Sequence, residues 1–530
     1  LLPERYEAIA SRSLSAGESG ERVDRDGFFK GEAKMTTRRT MIRAIPAAGI
    51  ALGAPSFVLA ASANPSRSDV AAPYYDPLQM FKTVLTVGLA QIPEVGWLVS
   101  AAVKLLWPSD KEDVWPQVRK QVEELVDRKI DDAVFSLLRA RLNGLGGVTK
   151  LYLRAIATRD NEAIRSQFLA SNTEFVAAAA EFRNPDYEWV LAPLFGMFST
   201  MHMMLLRDCV LNGKNWGWSR ATYDDIVRQS GDRLASYTKY LDQVSADEKS
   251  RYDKTAPPGP GGHQTALHDH YQPFHLKETL LVDDFRTLLT YLDPVGYPHK
   301  VPDIPFKDVY SAAYGTADDW DPVCASLSSN GVAPQYSRPL KSFSSIYIEY
   351  FNFTPRVVDV QYPTGKGPER RADGRRIDRY GIISYEKGGV EKKTITIPPP
   401  ADSKRFNVAK ARVTGDSIPS GVSLVLDDGS ELQLWYRSST GVKEVSVPGR
   451  MLSTLNMWTR SRFYDFDLGC IIFGFSVDTE FVPVILREIF YIGAIDQPNL
   501  GAAFLPRNVS RGLQRRREAF WRDVMSRVSA

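Results

Sequence analysis

The sequence predicts a multi-domain chain of α and then β structure: a helical bundle over residues 77–294, followed by an antiparallel all-β domain over residues 301–494. Three observations carry this. Apolar residues recur at three- and four-residue spacing up to Pro294, the period changes to two after it, and Trp189 to Leu206 holds no charged side chain at all. With 530 residues there is room for three or four units at about 150 residues each. Hydrophobic residues at 43% and charged residues at 24% are ordinary globular composition, which excludes wholesale disorder.

Charge excludes a dedicated nucleic-acid binder. Lys plus Arg is 66 against 63 for Asp plus Glu. The small excess sits at the end, where Arg507, Arg511, Arg515, Arg516, Arg517, Arg522 and Arg527 face only Glu518 and Asp523. Leu513, Phe520, Trp521 and Met525 follow helical spacing there, so residues 495–530 read as a basic tail helix. Three cysteines, Cys209, Cys324 and Cys470, without a C-x-x-C pair exclude a disulfide framework and a thiolate zinc site.

Residues 1–34 are polar and read as a disordered or non-native leader outside the fold. From Met35 the sequence gives Arg38-Arg39, an apolar run from Ala44 to Ala61, and the small-residue site Ala61-Ser62-Ala63. That is the pattern of a twin-arginine export signal, residues 35–63. Its run contains Pro46, Gly49, Gly53 and Pro55, too weak for a permanent span, so the expected location is secreted, periplasmic or extracellular.

The helical part begins with two short, largely buried helices between Pro77 and Trp107, broken at Pro93. Val118, Val122, Leu125, Val126, Ile130, Val134, Leu137, Leu138 and Leu142 predict one long amphipathic helix, stopped by Gly144, Gly146 and Gly147, with a shorter helix after it over 148–158. Asn161 to Phe182 carries Ile164, Phe168 and Phe175 on one side. Next comes the uncharged helix, which at 1.5 Å per residue reaches roughly 27 Å. A helix apolar all round belongs at the centre of a bundle or in lipid; we place it at the centre in the resting state. Seams at Leu234, Tyr237, Leu241, Val244 and at Leu281, Phe285, Leu288, Leu292 complete the helices, with a Pro/Gly-rich loop over 255–262 between them.

After Pro294, short strands are expected around 346–348, 358–360, 394–397, 422–426, 432–436, 471–475 and 489–492. Asp427-Asp428-Gly429-Ser430 is a hairpin turn, since Gly accepts the positive φ such turns need.

Three ordered blocks resemble the insecticidal delta-endotoxins, the crystal (Cry) toxins. They are Leu105 to Asp110 with Trp115 and Gln121 to Ile130; Met201 to Asp208 with Asn212 to Gly217; and Asp284 to Leu289 running through Tyr297-Pro298 to Val309-Tyr310. Ser345 to Ile348 with Val358 to Tyr362, and Cys470 to Ser476 with Ile489 to Gly493, resemble strand pairs of the β-prism in that family's second domain and in jacalin-like lectins. The resemblance implies a seven-helix bundle around an apolar central helix, followed by a β-prism. The family's third domain, a β-sandwich, is expected to be absent.

The same resemblance implies a pore-forming toxin; the sequence holds no P-loop, H-E-x-x-H or dinucleotide glycine fingerprint, so no enzymatic activity, cofactor or metal is expected. Its partners would be a target-cell membrane, a surface glycan or glycoprotein receptor, and copies of itself in the pore. The inserting hairpin maps onto Asn161 to Phe182 and Tyr187 to Leu211. Its membrane-insertion residues are Trp189, Leu191, Leu194, Phe195, Phe198, Met201, Met204 and Leu205 with Ile164, Phe168 and Phe175. Glu162, Arg165, Asn172 and Glu174 would face water or other subunits, and Arg207 and Asp208 would pair or stop insertion. Candidate receptor-binding residues in aromatic, glycine-rich turns are Tyr362, Lys366, Tyr385, Tyr436 and Arg437.

Two other patterns weigh less. His263, His268, His270 and His275 beside Asp269 suit a metal or a pH sensor, but their setting reads as a solvated linker. Gly415-Asp416-Ser417-Ile418 has no histidine after His299 to serve an esterase. The alternative to the toxin reading is a secreted lectin-like carbohydrate binder whose bundle never inserts.

Overall fold

The structure, a computed structural model, describes residues 77–90, 95–108, 113–257, 265–301, 304–315, 344–351, 354–361, 391–397, 408–415, 418–426, 428–437, 440–462 and 465–477. The export signal, Cys324, the strand expected at 489–492 and the basic tail lie outside them. The bundle consists of α1 (Pro77–Leu89), α2 (Trp97–Leu106), α3 (Trp115–Val126), α4 (Asp132–Thr158), α5 (Asn161–Ala178), α6 (Glu188–Asn212), α7 (Arg220–Asp253), α8 (Ala266–Glu278) and α9 (Asp284–Tyr291). One turn of π-helix, Thr279–Asp283, joins α8 to α9, so the described residues form eight helical rods.

The helix break expected at the glycines lies earlier. Asp127 ends α3 with φ of 57°. Asp131 then caps α4, its carboxylate accepting from the N–H groups of Ala133 (2.9 Å) and Val134 (3.2 Å). Gly144, Gly146 and Gly147 therefore lie inside α4. Gly146 is where Trp107 packs onto the helix: a Cβ there would stand 2.4 Å from the ring. Packing, which local spacing does not report, overrode the propensity of glycine to end helices. The histidines also differ from expectation. His268, His270 and His275 are on α8; the Nε2 of His268 bonds the Ser311 carbonyl at 2.9 Å, and that of His270 the Tyr252 carbonyl at 2.9 Å. His263 lies outside the described residues, among which no metal-binding group occurs.

Among the described residues the β domain consists of three antiparallel sheets. The strands β1 (Val309–Tyr310), β11 (Asp465–Ser476) and β10 (Met451–Arg462) form one, with β2 (Tyr314–Gly315) also on β11. A second orders β4 (Thr354–Gln361), β3 (Ser345–Phe351) and β5 (Glu391–Thr396). The third orders β8 (Glu431–Tyr436), β7 (Gly421–Leu426), β6 (Val408–Thr414) and β9 (Lys443–Val445). Alternate residues of all three, such as Ile346 and Ile348, Val422 and Leu424, and Ile471 and Phe473, meet in one core, which is the period of two made physical. Gly429, with φ of 83°, closes the β7–β8 turn as expected. The strands β1, β2, β6, β9 and β10 fall outside the ranges expected from the sequence.

The rod from α8 to α9 is the seam between the two parts. The π turn sends Leu280 into the β core. Asp284 is buried between Lys82 of α1, whose Nζ is 3.0 Å from it, and Arg450 beside β10, whose Nη2 donates at 2.6 Å. Burial alone would push its carboxyl up, but the Arg450 and Lys82 charges hold it below the ordinary carboxylate value.

Candidate membrane-insertion hairpin

Helix α5 starts on an Asp160 cap, whose side chain accepts from Glu162 N–H at 2.9 Å, and turns back through residues 179–187 into α6. Every residue of α6 from Trp189 to Val210 is buried. The helix touches α2, α3, α5, α7 and α9, so it occupies the middle of the bundle. An amphipathic helix needs one covered face; this one needs neighbours on every side, and α5, α7 and α9 supply their apolar stripes to it.

The structure brings the eleven predicted insertion residues together. Trp189, Leu191, Leu194, Phe195, Phe198, Met201, Met204 and Leu205 are buried in the same core as Ile164, Phe168 and Phe175. Between the two arms, Phe182 stacks on Phe198 with ring centres 4.5 Å apart, and Phe175 lies 5.8 Å from Phe198. Toward the rest of the bundle, Phe195 meets Tyr240 at 4.5 Å and Trp189 stacks on Phe274 at 6.0 Å. These contacts are apolar and shape-dependent, with little directional bonding to fix them in one partner set.

Polar ties on the hairpin are few and specific. His202, midway along α6, is fully buried. Its Nε2 donates to Asn172 Oδ1 of α5 at 2.8 Å, and its Nδ1 accepts from the Tyr237 hydroxyl of α7 at 2.6 Å. Asn172 in turn donates to Gln229 at 3.2 Å. Burial pushes the Tyr237 phenol up, keeping it a donor. Asp208 accepts from Gly96 N–H (2.8 Å), the Tyr152 hydroxyl (2.6 Å) and Asn212 Nδ2 (3.0 Å). Arg207 donates to the carbonyls of Leu292 (3.4 Å) and Asp293 (3.3 Å). Arg207 and Asp208 thus turn to separate partners at the end of the helix.

The four polar residues of α5 divide. Glu162 is exposed, Glu174 pairs with Arg141 at 3.2 Å, and Arg165 donates to the carbonyls of Trp216 and Gly217. Asn172 is buried in the His202 chain. Sequence reasoning did not find that chain, because its members lie 30 to 57 positions apart and only the fold makes them neighbours. A histidine inside an otherwise apolar helix was the one available signal.

Of the proposed receptor contacts, Tyr362, Lys366 and Tyr385 lie outside the described residues. Tyr436 ends β8 with 48% of its surface exposed, and the adjacent Arg437 donates its backbone N–H to Ser420 at 2.8 Å. The two therefore stand together at one end of the third sheet.

Residues 84–248 match the family model of the delta endotoxin N-terminal domain. The helical bundle is a delta-endotoxin domain. Pesticidal crystal protein Cry9Ca of Bacillus thuringiensis subsp. tolworthi is 28% identical over 233 residues, 41% of this chain and 19% of that protein. Pesticidal crystal protein Cry1Ia of Bacillus thuringiensis subsp. kurstaki is 25% identical over 264 residues, 48% of this chain and 36% of that protein. The chain thus matches over about a third of these delta-endotoxins at most. In fold, it is similar to a tryptic core variant of Bacillus thuringiensis Cry1Da, with a TM-score of 0.53, 17% identity, and coverage of 77% of this chain and 74% of that one. It is also similar to PirB, with a TM-score of 0.53 and 11% identity, covering 76% of this chain and 94% of that one. The delta-endotoxin fold therefore extends past the bundle into the β sheets.

Proposed function

We propose that this protein is an exported pore-forming toxin of delta-endotoxin type, which binds a target-cell surface through its β domain and permeabilises the membrane with the α5–α6 hairpin. One observation carries the reading: α6 is long and apolar enough to cross a bilayer, with a mean hydropathy of 1.5, yet is wholly enclosed in the bundle. Its enclosure is satisfied by apolar contact, which lipid can replace. An α-helix carries its backbone hydrogen bonds with it, so the hairpin can cross hydrocarbon where a loop cannot. Tyr436 and Arg437 are the described candidates for receptor contact, an aromatic face beside a cation that suits a surface glycan or glycoprotein. Assembly of several copies would give Glu162 and Glu174 a water-filled lumen instead of lipid.

A reversible cysteine pair across the α6–α7 contact, in a background with Cys209, Cys324 and Cys470 replaced by serine, tests the reading. Oxidised protein should release no dye from vesicles, and reduction should restore release. Undiminished release from the oxidised form would refute hairpin insertion.

A further inference from the structure

We propose that Arg183, in the turn between α5 and α6, is the clasp that holds the hairpin tip against α7, and that its guanidinium leaves a three-ring aromatic site before the hairpin can open. The proposal deepens the insertion reading above and rests on it for its consequence at the membrane. The guanidinium carbon lies 5.2 Å from the ring centre of Phe195, 5.7 Å from that of Tyr237 and 5.0 Å from that of Tyr240. One nitrogen, Nη2, donates to Ser236 Oγ at 3.1 Å. Among the described residues Arg183 has no carboxylate partner, and its Nε is buried without an acceptor. An arginine in this position is held by aromatic faces, not by an ion pair.

The division of the site makes it a clasp. Phe195 belongs to α6 and would travel with the hairpin, whereas Tyr237, Tyr240 and Ser236 belong to α7. Opening the tip must therefore pull the cation off two rings and one hydroxyl at once. A separate cleft between the tip and α7 is lined by Asp186 and Glu188 of the tip and by Asp247 and Glu248 of α7, with Arg128 and Arg251, the last paired with Glu248 at 2.8 Å.

Native-state hydrogen exchange of the full chain tests this without a membrane. In Arg183→Gln the amides of Tyr187 and Leu191 should exchange about tenfold faster, the factor that corresponds to losing about 1.4 kcal/mol of cation–π attraction. Amides within α4 should be unchanged. Tyr240→Leu, which keeps bulk and removes the ring face, should accelerate the same amides, and because Tyr240 also packs on Phe195, the double variant should be faster than Arg183→Gln alone but fall short of the product of the two single effects. Unchanged tip amides, effects that multiply, or acceleration spread equally through α4 would each overturn the clasp. Dye release from anionic vesicles by Arg183→Gln should rise by the same factor. Should the tip amides accelerate while neither protein releases dye, the clasp stands and the pore-forming reading falls.

Discussion

Replacing three neighbouring glycines of α4 by alanine should give opposite signs of stability. At Gly144 and Gly147 an added methyl meets nothing within 4 Å. Alanine there gains helix preference without a clash, stabilising by about 0.5–1 kcal/mol at each site. At Gly146 the methyl would stand 2.4 Å from Trp107 Cε2 and 2.6 Å from Cδ2. That ring cannot easily retreat: its Nε1 donates to Asn143 at 3.2 Å, and Trp115, fully buried, meets it at 5.7 Å between centres. Overpacking of this kind costs about 3 kcal/mol at the upper end, against about 1 kcal/mol of helix preference gained, so Gly146→Ala should lose about 2 kcal/mol. Thermal unfolding followed by far-UV circular dichroism should show Gly144→Ala and Gly147→Ala melting about 1–4 °C higher and Gly146→Ala about 4–8 °C lower. If Gly146→Ala melts at or above the parent, Trp107 does not pack on that face of α4 and the account of the helix boundary is wrong.

Asp284→Asn should destabilise by about 3–5 kcal/mol, because it leaves Lys82 and Arg450 buried without their carboxylate; denaturant unfolding measures it. Since the folded protein holds the Asp284 carboxyl below its ordinary value, its contribution is complete above about pH 4 and fades as the pH falls through the lower folded value. An acid titration of stability should lose that limb in Asp284→Asn. Separately, His202→Leu should cost about 1–3 kcal/mol for each of the two groups it leaves unpaired, Tyr237 Oη and Asn172 Oδ1. Adding Tyr237→Phe should recover part of that loss, and a fully additive double variant would refute the hydrogen-bonded chain.

Much of this architecture was legible because burial leaves periodic marks. Val422, Leu424 and Leu426 alternate because they share the face of β7 that enters the common core, and Ile164, Phe168 and Phe175 recur at helical spacing because α5 has one stripe against α6. The uncharged run of α6 announced its central place for the same reason. Local signals failed where a distant group decided the outcome, as Trp107 did at Gly146 and the Ser311 carbonyl at His268. The strands β6 and β9 carry Lys410, Arg412 and Glu444 in ion pairs with one another, which hides their alternation among charges.

By itself the sequence determined the order of the two parts and the apolar helix at the centre of the first, since each depends on side chains close along the chain. The tertiary structure alone decided what holds the α5–α6 hairpin: His202 against Tyr237, Asp208 against Gly96 and Tyr152, Arg183 among three rings, and Asp284 between Lys82 and Arg450. Hydrogen bonds, ion pairs and ring contacts act over a few ångströms in space, and residues dozens of positions apart acquire them only when the chain has folded.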